Sequence, residues 1–184
     1  MKWMKIGNFI YMKGKNVFLR AVELEDAEAL YQLENDVTIW DLSDTTMPFS
    51  RFAIEQYVIE SSTNDIFTNK QLRLMIAENM NKKVIGAIDL YNFNPLHRRA
   101  GVGILILESY RQIGYASEAM QLLMNYAFST LQLHQLYCTV SADNKASLAL
   151  FIRMGFVQTG IYKSWRTKDK SWVDEIFFQY IKNE

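Results

Sequence analysis

The sequence predicts an α/β fold with a mixed sheet in one domain. Three observations carry that reading. Strand-like and helix-like segments interleave along the chain. The second half shows two amphipathic helical patterns separated by a short apolar strand. The 184 residues include two prolines, Pro48 and Pro95, and no Ser/Gly-rich linker, so nothing divides 1–184 into parts. A chain of this length buries roughly 70% of its unfolded surface and needs no disulfide or metal staple.

The elements follow in order. Val17 to Val22 is a short apolar strand. Leu24 to Leu33 places Leu24, Ala27, Leu30 and Tyr31 at helical spacing, and Phe49 to Ile59 does so again through Phe52, Tyr57 and Ile59. Asp41 to Met47 is polar and reads as a loop. Leu72–Glu78 and Lys83–Leu90 form a hairpin across the short polar connection 79–82. Asn92 to His97 is a turn around Pro95. Ala100 to Leu107 is an apolar run with two glycines, the pattern of a strand buried on both faces. Ser117 to Leu131 is an amphipathic helix with Ala119, Met120, Leu123, Tyr126 and Ala127 on its apolar side. Gln135–Val140 is a strand. Asn144–Met154 is a second amphipathic helix, ended by Gly155. Phe156–Thr159 and Asp174–Ile181 close the chain as strands.

Composition narrows the function. Lys plus Arg is 20 and Asp plus Glu is 20, so the formal net charge is zero. A general nucleic-acid binder would carry a basic excess, and no nucleic-acid partner is expected. The zero is a sum of unlike parts. Residues 23–65 hold eleven acids and one base, Arg51, for a charge of −10, and the remainder is +10. Cys138 is the only cysteine and lies in an apolar strand, which reads as core. With two histidines and no cysteine pair, no metal site is expected. Lysines interrupt the first fifteen residues, so no signal-peptide core is present, and no run approaches a membrane span of about 20 apolar residues. The expectation is a cytoplasmic protein with no membrane partner.

One junction carries chemistry. At Leu105–Glu118 a strand passes into a helix through Arg111, Gln112, Ile113, Gly114, Tyr115, Ala116 and Ser117, in the pattern Q/R-x-x-G-x-G/A. A glycine at 114 lets backbone approach a ligand closely. The free N–H groups and positive end of the following helix converge on one point, an anion site suited to a pyrophosphate. Arg111 adds a charge-assisted contact.

With this loop, the element order resembles the GNAT superfamily of acetyl-CoA-dependent N-acetyltransferases. A second likeness is Asn144 to Phe156, Asn-Lys-Ala-Ser-Leu-Ala-Leu-Phe-Ile-Arg-Met-Gly-Phe. It is similar to the family helix flanking the pantetheine arm of coenzyme A. His97-Arg98-Arg99-Ala100, Asn125-Tyr126-Ala127-Phe128 and Leu136-Tyr137 resemble the branch of bacterial spermidine N-acetyltransferases and ribosomal-protein N-terminal acetyltransferases. The resemblance spans about residues 15–183. It implies a mostly antiparallel, twisted sheet of about seven strands with about four helices, splayed between the fourth and fifth strands. It implies acetyl-CoA as co-substrate and no metal. By the same likeness, Leu105, Ile106 and Leu107 hold the pantetheine arm with backbone groups, residues 111–117 take the pyrophosphate, and Asn144 and Phe151 flank the arm.

The resemblance also implies direct attack of a primary amine on the thioester. Two departures stand out. Phe151 replaces the family's usual tyrosine acid and has no proton to donate. Gly101 stands where the spermidine enzymes have a glutamate. Asp89 and Glu108 are the candidate carboxylates for catalysis. Water or another hydroxyl can protonate the thiolate, whose intrinsic pKa of about 8.5 asks for little acid help. The first two helices and their loop form the acceptor side, which is the −10 segment, so Glu34, Asp36, Asp41 and Asp44 are the candidate contacts for a cation. Three readings stay open: acetylation of a polyamine or other small cationic amine, acetylation of a peptide N-terminus, and non-catalytic acyl-CoA binding. The branch's spermidine enzymes form rings, and a homo-oligomer is left open.

Overall fold

The computed structural model describes residues 12–40 and 45–182. Its strands are β1 (Met12–Lys13), β2 (Val17–Ala21), β3 (Leu72–Glu78), β4 (Val84–Asn94), β5 (Arg99–Ile106), β6 (Gln135–Ser141), β7 (Val157–Lys168) and β8 (Ser171–Ile181). Its α-helices, among the described residues, are α1 (Ala27–Glu34), α2 (Arg51–Thr63), α3 (Ile66–Asn69), α4 (Tyr115–Ser129) and α5 (Lys145–Arg153). One sheet runs β1-β2-β3-β4-β5-β6-β8-β7. Every neighbouring pair is antiparallel except β5 and β6.

The helices start where the sequence supplies acceptors for their first amides. Ser50 Oγ accepts from Ala53 N at 3.1 Å to open α2, and Asn144 Oδ1 accepts from Ser147 N at 3.1 Å to open α5. Strand alternation then sorts side chains to two faces. One face packs Ile85, Ile88, Val102, Leu136 and Phe178 under α4 and α5, through Met120, Leu123 and Phe151. The other packs Met75 and Ala87 under α1 and α2, through Leu30, Ile54 and Val58. Each large apolar side chain buried this way contributes roughly 1.5–3 kcal/mol.

The expected architecture stands, with four corrections. A two-residue strand, β1, pairs with β2, and a four-residue helix, α3, precedes β3. Both are too short to show a period. β4 runs on to Asn94, through the segment expected to turn. β7 has 12 residues where four were expected, because it is an almost wholly exposed edge strand with no apolar alternation to read. The expected fourth and fifth strands are β5 and β6.

Candidate active site

The sheet opens between β5 and β6. They pair in parallel over only three positions, Arg99↔Gln135, Ala100↔Leu136 and Gly101↔Tyr137. From Val102 onward β5 keeps its β4 partner and has no ladder to β6. Alternation fixes which backbone groups face the gap. Leu107 N donates to Ile85 O at 2.9 Å, so its amide points at β4. A Cβ on Gly86 would fall 2.2 Å from Leu105 O, so that carbonyl points at β4 as well. The backbone groups of Ile104 and Ile106 therefore face the fork, with the carbonyl of Val102, whose amide closes the ladder on Tyr137. This corrects the expectation for Leu105 and Leu107: the Leu105 carbonyl and the Leu107 amide turn to β4, and the Leu107 carbonyl accepts from Tyr110 N at 2.9 Å. The correction follows from register, which residue types do not reveal.

Beyond the fork, Arg111 Nε donates to Ile106 O at 2.8 Å and folds the loop back over the end of β5. Gln112 (φ 64°) and Gly114 (φ 95°) both take left-handed conformations, and Gly114 caps α4. A Cβ on Gly114 would meet nothing within 4 Å. The amides of residues 112–117 donate to no group among the described residues. Open space faced by free amides at a helix N-terminus fits a coenzyme pyrophosphate. Arg153 Nη1 lies 3.5 Å from Ser117 Oγ, which brings a second cation from α5 to the same place. The sequence reading missed Arg153, because only packing of α5 beside α4 brings it there. The Tyr115 side chain turns away from the loop. Its hydroxyl donates to Glu78 Oε1 at 2.9 Å, and that carboxylate holds the phenol above its ordinary pKa.

Phe151 is buried, 5.1 Å from Phe156 edge-to-face and 6.5 Å from Phe178 stacked. Its neighbour in the motif, Asn144, spends its side chain on the α5 cap. Cys138 is buried, and burial raises its thiol pKa, which leaves the neutral thiol as core.

The face covered in part by α1 and α2 carries the candidate carboxylates. Asp89 lies on β4 opposite Gly103 of β5 and opposite Arg73 of β3. Arg73 donates to both its oxygens, at 2.7 and 3.0 Å, and also to Glu34 Oε1. The Arg73 guanidinium sits 5.3 Å from the Tyr57 ring centroid. Burial opposes its charge, but Asp89 and Glu34 outweigh burial and hold its pKa above the ordinary arginine value. Glu34 and Asp89 are thus brought together. Asp36 is not part of that cluster. Its Oδ1 accepts from Thr38 N at 2.9 Å and Thr38 Oγ1 at 2.7 Å. Thr38 first, then Arg111, holds its carboxyl below the usual range. Glu108 opens a short 3₁₀ turn at Glu108–Tyr110 and is exposed. Asp41 and Asp44 lie outside the described residues. A separate cavity of about 530 Å³ lies beside Arg73, lined also by Tyr57, Glu60, Asp65, Phe67 and Tyr126. The described residues include no His/Cys/Asp/Glu group able to hold a metal ion, and no helix long and apolar enough to cross a membrane.

The sheet is forked between two parallel strands, with an amide cradle at the next helix. The acetyltransferase (GNAT) domain matches residues 16–157. The chain belongs to the GNAT acetyltransferase family. This GNAT protein is 28% identical over 145 residues to the spermidine N(1)-acetyltransferase of Escherichia coli, covering 79% of this chain and 75% of that one. It is 26% identical over 175 residues to the uncharacterized N-acetyltransferase YoaA of Bacillus subtilis, covering 95% and 98%. Among solved structures, spermidine N-acetyltransferase from Vibrio cholerae in complex with CoA and spermine superposes with a TM-score of 0.81 at 23% identity, covering 90% of this chain and 95% of that one. That last likeness shows the fold. The GNAT domain and the N-acetyltransferase relatives together make this chain an acetyl-CoA-dependent N-acetyltransferase.

Proposed function

We propose that this acetyltransferase acts on the primary amine of a small cationic molecule, with a polyamine as one member of that class, by direct attack. The observation that carries the reading is the Glu34–Arg73–Asp89 cluster. Two carboxylates around one guanidinium leave a net negative charge directly across the strand pair from Gly103, on the fork. An ammonium approaching the fork is attracted there.

Acetyl-CoA brings the acyl group as an activated thioester. In this reading the amides of residues 112–117, with Arg111 and Arg153, bind its phosphates. The fork-facing amides of Ile104 and Ile106 align the arm and offer a hydrogen bond to its thioester carbonyl. Asp89 and Glu34 orient the amine, and holding both partners in place is the main source of acceleration. Phe151 contributes packing and no proton.

The test is thiol release from acetyl-CoA with spermidine, simple alkylamines, aminoglycosides and peptides as acceptors. Small amines are expected to turn over and peptides are not. Tight coenzyme binding with no transfer to any acceptor would leave only the acyl-CoA-binding reading. Gly114→Glu places a carboxylate and a Cβ in the cradle, and coenzyme binding in calorimetry should be abolished. Unchanged affinity removes the loop from the site.

A further inference from the structure

Five aromatic rings form a row on the acceptor face. Tyr91 of β4 is 6.1 Å from Tyr137 of β6, edge-to-face. Tyr137 is stacked on Phe177 of β8 at 5.7 Å. Phe177 is 6.2 Å from Tyr162 of β7, and Tyr162 is 5.0 Å from Trp165. Register places the first three on one face, since Tyr91 lies opposite Gly101, Gly101 opposite Tyr137, and Tyr137 opposite Gln179, two residues from Phe177. None of the five belongs to either buried cluster. All keep exposed surface, with Tyr162 and Trp165 at 41% and 61%.

The row begins at the fork. A Cβ on Gly101 would fall 2.2 Å from the Tyr91 ring, and one on Gly103 would lie 3.9 Å from it. The Tyr91 ring therefore lies across both glycines of β5, where the β5–β6 ladder ends. No hydrogen bond involves its hydroxyl among the described residues, and burial raises its phenol pKa.

Among the described residues, the carboxylates around this row are engaged. Asp89 and Glu34 share Arg73, and Glu175 on β8 pairs with Arg166 at 3.4 Å. One net negative charge serves one ammonium. Further cations along the row would meet ring faces but no unpaired carboxylate among the described residues. An aromatic body has the opposite preference: it displaces water from the rings and gains stacked and edge-to-face contacts. We infer that the row is the binding surface for the acceptor's carbon skeleton, and that the acceptor is a monoamine carrying an aromatic ring close to its amino group. This rests on the amine-acetyltransferase reading above. The ring seats on Tyr137 and Phe177 while the amine reaches the fork beside Asp89.

The test compares phenethylamine, n-butylamine and spermidine, by thiol release and by calorimetry on the full chain with CoA. Phenethylamine should exceed both others in kcat/KM by roughly tenfold or more. Tyr137→Leu and Phe177→Leu should each remove most of that preference, lowering kcat/KM for phenethylamine far more than for n-butylamine. Equal or better use of spermidine overturns the inference and leaves the amine reading intact. Unchanged phenethylamine kinetics in both variants also overturns it. If no amine turns over, calorimetry decides: phenethylamine binding that weakens in Tyr137→Leu supports the surface, and no binding refutes it. A dimer in sedimentation that Trp165→Ala dissociates would assign the row to a second copy and overturn it.

Discussion

Gly101 lies where the Tyr91 ring crosses β5. Any side chain at 101 must displace that ring, which touches Tyr137 on its far side. Gly101→Ala should destabilise the fold by about 1–3 kcal/mol in chemical denaturation. In a Tyr91→Ala background the same change should be near neutral, and the double-mutant cycle should report coupling of similar size. Equal costs in both backgrounds would mean that the ring does not hold the site. The missing glutamate at 101 was legible in the sequence, but the ring filling its place was not, because it comes from β4. The same holds for the acids. Glu34 and Asp89 were readable as candidates, but Arg73 joins them across 39 and 16 positions of chain, a separation no local pattern spans. Arg111 and Gly114 were readable because turn, cap and charge lie within a few residues of one another.

At the scale of elements, α4 is tied to the first hairpin by one carboxylate. Glu118 accepts from Asn16 N and Nδ2, both at 2.8 Å, and from Val17 N at 3.3 Å. Gly14 is held so close that a Cβ there would fall 2.1 Å from Glu118 Oε1. Partial burial alone would raise the Glu118 carboxyl, but the Asn16 and Val17 bonds outweigh burial and lower it. A carboxyl lowered by folding contributes stability at neutral pH that is lost as pH falls through its folded value, below the ordinary value of about 4. Glu118→Gln should therefore cost about 1 kcal/mol at pH 7, solvent screening limiting the effect, and the gap from the parent should close on acidification. Thermal melts from pH 7 to pH 3 measure it. A constant gap would show that the carboxylate charge is not what holds the hairpin. The helices α4 and α5 were legible from period and caps. The edge strand β7 was not, because its exposed residues alternate nothing and its ladder to β8 is shifted between Gln158 and Gly160 and again between Tyr162 and Arg166.

Across the whole molecule, three of the eleven acids in the −10 segment are held by arginines among the described residues. Asp26 is held by Arg20 at 2.6 and 2.7 Å, Glu28 by Arg51, and Glu34 by Arg73. Two of those three arginines come from outside the segment, so the charge split along the chain is partly undone in space. Among the described residues, the uncompensated remainder at the fork is the charge of the Glu34–Arg73–Asp89 cluster. Net charge summed along the chain is the wrong quantity for counting the cations an acceptor carries.

The three-position seam between β5 and β6 has a dynamic consequence. Past Val102, whose amide closes the ladder on Tyr137, the Ile104 and Ile106 amides face an edge with no ladder, while their neighbours Gly103 and Leu105 stay locked to β4. Amide hydrogen exchange in the free protein should thus read as an every-other-residue pattern down one strand, fast at 104 and 106 and slow at 103 and 105. Saturating coenzyme should erase the alternation by slowing the fast set alone, because the ligand then stands in for the strand that β6 fails to supply.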